Sequence, residues 1–150
     1  MSILPSASVI DASFGIKLVI EEDHSSRVRE YLERLLDDPP SLVYVPDLFF
    51  TECANILWKL VSRGMISPGV AEHNCQALLK LMLPVTSGTE LMARAVELGV
   101  AYGISAYDAS YLALAEKLHL PLLTADNRLA AAMASSPYQV IALDNLFAPS

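Results

Sequence analysis

The amino-acid sequence predicts an α/β domain: a parallel sheet of about five strands with helices on both faces. Three observations carry this. Short apolar runs alternate with longer amphipathic segments along the chain, the order that strand–helix–strand units produce. The short runs are continuously apolar rather than alternating, as in strands buried on both faces. Of the 150 residues, 53% are hydrophobic and 18% charged, enough apolar material to fill the core of one domain. Residues 1–150 therefore read as a single domain.

Taken in order, "SVIDAS" (8–13) opens with a buried strand. Residues 23–37 place Val28, Tyr31, Leu32, Leu35 and Leu36 on one helical face, and "DDPP" (37–40) ends that helix because proline cannot continue it. "LVYV" (42–45) is a second strand, and Pro46 and Asp47 start a helix to about Arg63, with Gly64 as its stop. "SPGVAEHNCQALLKLM" carries a Ser-Pro start signal and is a helix; "LPVTS" is the third strand; 89–102 is a further helix. In "SAYDASYLALAEKLHLPLLTAD" (105–126), Tyr107, Tyr111, Leu114, Ala115 and Leu118 form an apolar helical face, and "LPLLT" is the fourth strand. "RLAAAMA" is a short helix, "YQVIAL" (138–143) the fifth strand and "DNLF" a terminal turn.

The formal net charge of −7 counts against an extended basic face of the kind non-specific nucleic-acid binders carry. Cys53 and Cys75 match no metal-binding spacing and read as free thiols in a reducing compartment. The first residues have no basic region before an apolar stretch, so no signal peptide is expected. The longest charge-free run, "LAAAMASSPYQVIAL", is too short to span a bilayer. A cytoplasmic protein without a membrane segment is expected. His24, His73 and His119 fall outside every motif, and Trp58 and the tyrosines read as packing residues.

Ligands of open α/β sheets bind beyond the carboxyl ends of the strands. Asp11 and Asp126 follow strands and sit at such ends, while Asp108 lies in the first turn of a helix. Each also has a local explanation. Ser105 and Asp108 fit a capping box, and Asp126 and Asp11 fit N-caps. Asp108 reaches the same rim only if the chain bends sharply at "GIS", which the pattern does not force. Glu52 is a fourth candidate. At about 100° per residue, Glu52, Lys59 and Arg63 fall within about 20° of one another, with Asn55 at the edge of the stripe. Phe49, Phe50 and Ile56 frame Glu52, and a half-buried carboxylate there needs a partner or a cation.

"VIDAS", "VPDLFFTECANILWKLVSRG" and "SAYDASYLALAEKLHLPLLTAD" together resemble the PIN-domain nucleases, in particular the VapC-type toxins of toxin–antitoxin pairs. Order and spacing fit over nearly the whole chain, and "YDASYLALAE" followed by "LLTAD" is the most specific part. The resemblance implies a three-layer α/β/α sandwich in which Asp11, Glu52, Asp108 and Asp126 converge as the catalytic acids and hold Mg²⁺ or Mn²⁺. It implies supporting roles for Ser13, Asn55, Thr124 and Asn127. It further implies an RNA substrate cut endonucleolytically and a cognate antitoxin that blocks the site across an apolar groove. The apolar excess is compatible with that groove and with a homodimer. Lys59 and Arg63 are candidate RNA contacts.

The chemistry needs such residues. Crowded carboxylates raise one another's pKa, and a hard divalent cation removes that penalty. Asp11 and Asp108 are expected to bind the ion most directly, with Glu52 and Asp126 completing the site. Two other acidic α/β classes fit less well. A HAD-type phosphatase needs a second aspartate two residues after Asp11, where Ser13 stands. A receiver domain needs an aspartate on a middle strand and a lysine near the last, and "LPVTS" and "YQVIAL" have neither. A PIN-like scaffold that binds without cutting is the remaining alternative, disfavoured by the intact acidic quartet.

Overall fold

The computed structural model describes residues 4–37 and 42–147, the side chain of Leu36 excepted. Most of the "DDPP" stop signal lies outside the described residues. Five strands form the sheet: β1 Ser8–Ile10, β2 Val43–Pro46, β3 Val85–Thr86, β4 Leu122–Thr124 and β5 Val140–Ala142. The helices are α1 Ala12–Gly15, α2 Ser25–Asp37, α3 Leu48–Ser62, α4 Pro68–Lys80, α5 Met92–Tyr102, α6 Ala106–Leu118, α7 Asn127–Ala132 and α8 Leu143–Leu146. Short 3-10 turns occupy Ile16–Leu18 and Gly88–Glu90.

The strand order is β3-β2-β1-β4-β5, and every neighbouring pair is parallel. All three residues of β1 and of β4 are buried. Successive strand side chains point to opposite faces, so both faces of the sheet centre are covered. The edge strands β3 and β5 are partly exposed. The three-layer α/β/α sandwich is thus the fold.

The order reverses at β1, whose partners are β2 on one side and β4 on the other. This is the topological switch point, where a crevice opens beyond the strand ends. Ile10 pairs with Leu123, which sets Asp11 opposite Thr124 at that crevice.

The bend left open by the sequence is resolved at Gly103. It closes α5 in the left-handed region, with φ +65°, where a side chain would be strained. Gly99 allows the close turn as well, because a Cβ there would lie 3.0 Å from the Ile104 carbonyl oxygen. Pairs Arg94–Glu116 and Lys117–Glu90 tie the start of α5 to the end of α6, so the two helices run antiparallel. α6 feeds β4, which runs toward the carboxyl edge, so α6 must begin at that edge with Asp108 in its first turn. It packs across β1, β2 and β4 and is buried continuously from Tyr111 to Ala115, as expected of a helix apolar on most sides.

Several details differ from the sequence expectations. Pro46 ends β2 rather than starting a helix. Having no N–H to give, proline is tolerated at a strand's end, and the ladder continues through Asp47 N–H to the Thr86 carbonyl at 2.9 Å. Ser87 accepts from Thr89 N–H and tightens 88–90 into a 3-10 turn, so α5 begins at Met92 instead of residue 89. "DNLF" belongs to a short helix, not a turn, because Leu143 and Leu146 are both buried at helical spacing. Tyr107 is 68% and Trp58 62% exposed, so neither packs in the core. Tyr107 lies in the first turn of α6, before its continuous buried stretch begins. Trp58 follows the buried Leu57 by about 100° around α3.

Candidate active site

Asp11 is the most buried acid of the crevice, 5% exposed. Its side chain caps α1: Oδ1 accepts from Phe14 N–H at 2.9 Å and from the Ser13 hydroxyl at 2.6 Å. Oδ2 accepts from the Thr124 hydroxyl. Burial pushes the Asp11 carboxyl up to about 6, and Asp108 adds to the rise, while the bonds from Ser13, Thr124 and Phe14 oppose it. The capping explanation therefore holds for Asp11, and the same carboxylate stands at the crevice. One carboxylate starts a helix and anchors the crevice.

Thr124 and Ser13 knit β1 to β4. Thr124 Oγ1 accepts from Asp126 N–H at 3.0 Å, and Ser13 Oγ accepts from Ala125 N–H at 2.9 Å. The two hydroxyls lie 3.3 Å apart. Asp126 caps α7, its Oδ1 accepting from Arg128 N–H at 2.9 Å and Leu129 N–H at 3.2 Å. Its Oδ2 has no hydrogen bond among the described residues.

Glu52 reaches the crevice from the second turn of α3. α1 and α3 approach closely because Gly15 has no side chain: a Cβ there would fall 2.5 Å from the Phe49 ring. The Tyr111 hydroxyl donates to Glu52 Oε1 at 2.7 Å. Burial raises the Glu52 carboxyl; the Tyr111 bond lowers it and Asp108 raises it further. Asp108, half-buried, donates its backbone N–H to the Ser105 hydroxyl oxygen, which caps α6, at 3.1 Å. Burial raises its carboxyl and Asp126 adds to that, against the lowering influences of Ser105 and Arg128.

Asp108 is thus the hub. Its charge is felt by Asp11 and Glu52, and it feels that of Asp126. Among the expected supporting residues, Ser13 and Thr124 bond the site directly. Asn127 is exposed and its amide reaches Asp144 Oδ2 at 3.4 Å; Asn55 is exposed on α3. Lys59 and Arg63 are exposed further along α3, about 10 and 16 Å along its axis from Glu52 at 1.5 Å per residue.

Two residues beside these acids have no such role in the sequence reading. Tyr111 was assigned to apolar packing, yet a buried tyrosine needs a partner for its hydroxyl, and its position three residues after Asp108 was the available signal. Arg128 stands two residues beyond Asp126 and sends its charge toward Asp108. Cys53 is no nucleophile: burial, then Glu52 and Asp11, push its thiol up to about 12.

Among the described residues no three His, Cys, Asp or Glu side chains form a ready-made metal cage. The donor set is instead that of a hard ion held by one or two carboxylates, with water and substrate phosphate as the remaining ligands. Carboxylates that raise one another's proton affinity fit such an ion.

This crevice, at the switch point of a five-stranded parallel sheet, matches a known class. The PIN domain pattern matches residues 8–134, and the chain belongs to the PIN-domain family, whose ribonucleases are generally metal-dependent. It sits with the VapC-type members. It is 36% identical over 124 residues to Ribonuclease VapC3 of Pyrobaculum aerophilum, a match covering 81% of this chain and 91% of that protein. Two solved structures share the fold. A toxin–antitoxin complex from Klebsiella pneumoniae aligns with a TM-score of 0.61 at 18% identity, covering 90% of this chain and 96% of that one. The Mycobacterium tuberculosis VapC20, a sarcin-ricin-loop-cleaving toxin, aligns with 0.62 at 20%, covering 84% and 95%.

Proposed function

We propose that the protein is a Mg²⁺- or Mn²⁺-dependent endoribonuclease and the toxin of a toxin–antitoxin pair. The observation that carries the reading is the buried Asp11 held by Ser13, Phe14 and Thr124 at the sheet's switch point, with Glu52 fixed nearby by Tyr111, in a chain whose relatives at this identity are VapC ribonucleases.

A bound divalent ion would neutralise the RNA phosphate, acidify a water and stabilise the leaving oxygen. Asp11 and Asp108 are the acids that would hold it. Asp11 is fixed by three bonds and cannot swing away, while Asp108 stands at the mouth. Asp126 spends Oδ1 on the cap of α7, and its Oδ2 makes no hydrogen bond among the described residues. Tyr111 fixes Glu52 through Oε1 and leaves Oε2 free. Its raised proton affinity suits Glu52 to take a proton from the attacking water. Water attacks the phosphorus directly, and no side chain forms a covalent intermediate.

An antitoxin partner is supported by the complex in which the Klebsiella neighbour was solved. An apolar cavity of about 190 Å³ between α3 and α4, lined by Phe50, Cys53, Ala54, Cys75, Leu78 and Leu79, is a surface such a partner fits. A homodimer is supported by the exposed stripe Met92, Val96 and Val100 on α5. The two free cysteines are consistent with a reducing cytoplasm, and among the described residues no helix is long and apolar enough to cross a membrane.

The test is cleavage of a mixed RNA pool. With Mn²⁺ the purified protein yields discrete fragments, EDTA stops the reaction, and Asp108→Asn lowers it at least about a hundredfold. Equal cleavage by the variant would assign the activity to a contaminant and end the proposal.

A further inference from the structure

The chain carries −7 at neutral pH and gathers four acids where an RNA phosphate must approach. A bound divalent ion would offset part of that repulsion, and a basic side chain beside the acids would offset more. Of the chain's ten basic residues, Lys17, Arg29, Arg94 and Lys117 are held in ion pairs with glutamates. Arg27 and Arg34 lie on α2, Lys59 and Arg63 far along α3, and Lys80 at the end of α4. Arg128 remains.

Its placement is specific. Its backbone N–H donates to Asp126 Oδ1, and the next residue, Leu129, donates to the same oxygen and is buried. The main chain of Arg128 is therefore locked to the site. The side chain is exposed, and its guanidinium makes no hydrogen bond or ion pair among the described residues. We propose that Arg128 is a substrate-binding residue of this enzyme, gripping the RNA phosphate next to the one that is cut.

The proposal rests on the endoribonuclease reading and adds the residue that seats the substrate. A guanidinium is always charged and offers a planar fork that matches two phosphate oxygens. The Arg128 backbone N–H lies 2.9 Å from Asp126 Oδ1, so the side chain starts beside the acids without an ion pair to any of them. Because the head is unpaired, phosphate binding breaks no existing bond.

The test uses the Glu52→Gln protein, which keeps an oxygen acceptor for Tyr111 and slows cleavage. Binding of a fluorescent single-stranded RNA is followed by anisotropy with Mg²⁺ between 50 and 200 mM salt, a range over which phosphate contacts lose affinity. Arg128→Ala should weaken binding about fivefold to tenfold and flatten the log–log salt slope by about 0.7, the value for one phosphate on a single strand. Arg128→Lys should keep the slope and lose only part of the affinity, because it keeps the charge without the fork. With Glu52 intact, Arg128→Ala should raise KM more than it lowers kcat. Unchanged binding and slope would overturn the proposal. So would unchanged binding with a displaced pH–rate profile, which would make Arg128 a tuner of Asp108. A parent protein that binds RNA with no salt dependence would overturn it too. Failure of the protein with Glu52 intact to cleave RNA, with the slope change present, would count against the endoribonuclease reading alone.

Discussion

Replacing Asp11 by asparagine should stabilise the metal-free protein at neutral pH. The Asp11 carboxyl is buried and shifted from its ordinary value of 3.8 up to about 6, chiefly by loss of solvent. The folded protein thus holds this proton more tightly than the unfolded chain does. The contribution of Asp11 to stability is full below pH 4 and falls as pH rises from 3.8 to about 6, because over that range this group is more protonated in the native state. At about 1.4 kcal/mol per pH unit, the loss by pH 7 is about 3 kcal/mol. Glu52 and Asp108 are raised by the same causes and steepen the decline.

Asparagine removes the charge and keeps the bonds. Its Oδ1 still accepts from Ser13 and Phe14, while its Nδ2 donates to Thr124 Oγ1. The Thr124 hydroxyl then turns to Ser13 Oγ, 3.3 Å away. Urea unfolding in EDTA at intervals from pH 4 to 8 is the assay. Asp11→Asn should match the wild type near pH 4 and exceed it by up to about 3 kcal/mol at pH 8. Mg²⁺ at a hundredfold excess over Kd should return about 2.7 kcal/mol to the wild type and little to the variant. A variant less stable than the wild type at pH 8, or a constant difference at every pH, would refute the reasoning.

Tyr111→Phe deletes the hydroxyl that holds Glu52 Oε1. Cleavage should fall about tenfold, as when a ligand loses its outer partner, while the melting temperature drops only slightly, and steady-state kinetics beside a thermal melt separate the two. Thr124→Val keeps the shape of a fully buried residue but strands Asp11 Oδ2 and the Asp126 N–H. It should cost about 1–3 kcal/mol in urea unfolding at pH 7, with the largest deficit in the ionised range of Asp11.

Legibility divided along a physical line. β1, β4 and α6 were readable because their apolar runs are long and continuous relative to the chain around them. Asp11 and Asp126 were readable because they directly follow those strands. The meeting of Asp108 with them was not, since it depends on the turn at Gly103 and on α6 entering β4 from the carboxyl edge. That is tertiary geometry, and the PIN resemblance supplied it first. Pro46 and "DNLF" misled because local punctuation was read without the neighbouring strand or the buried leucines that decide the matter. Tyr111 was missed because its ring satisfies the apolar pattern, while its hydroxyl satisfies an acid 59 residues away. Asp11 and Asp126 do cap α1 and α7, and those bonds fix their carboxylates in place, as the proposed site requires.

The claim on which the mechanism stands is that Asp11 and Asp108, from separate elements, hold one cation with Glu52 and Asp126 beside them. Titration of Mn²⁺ into the metal-free protein at pH 7.5, followed by the relaxation of water protons, measures it directly. The wild type should show saturable binding that Mg²⁺ displaces, and Asp108→Asn should weaken it at least about tenfold. Identical binding by the wild type and the variant, or none by either, would contradict it.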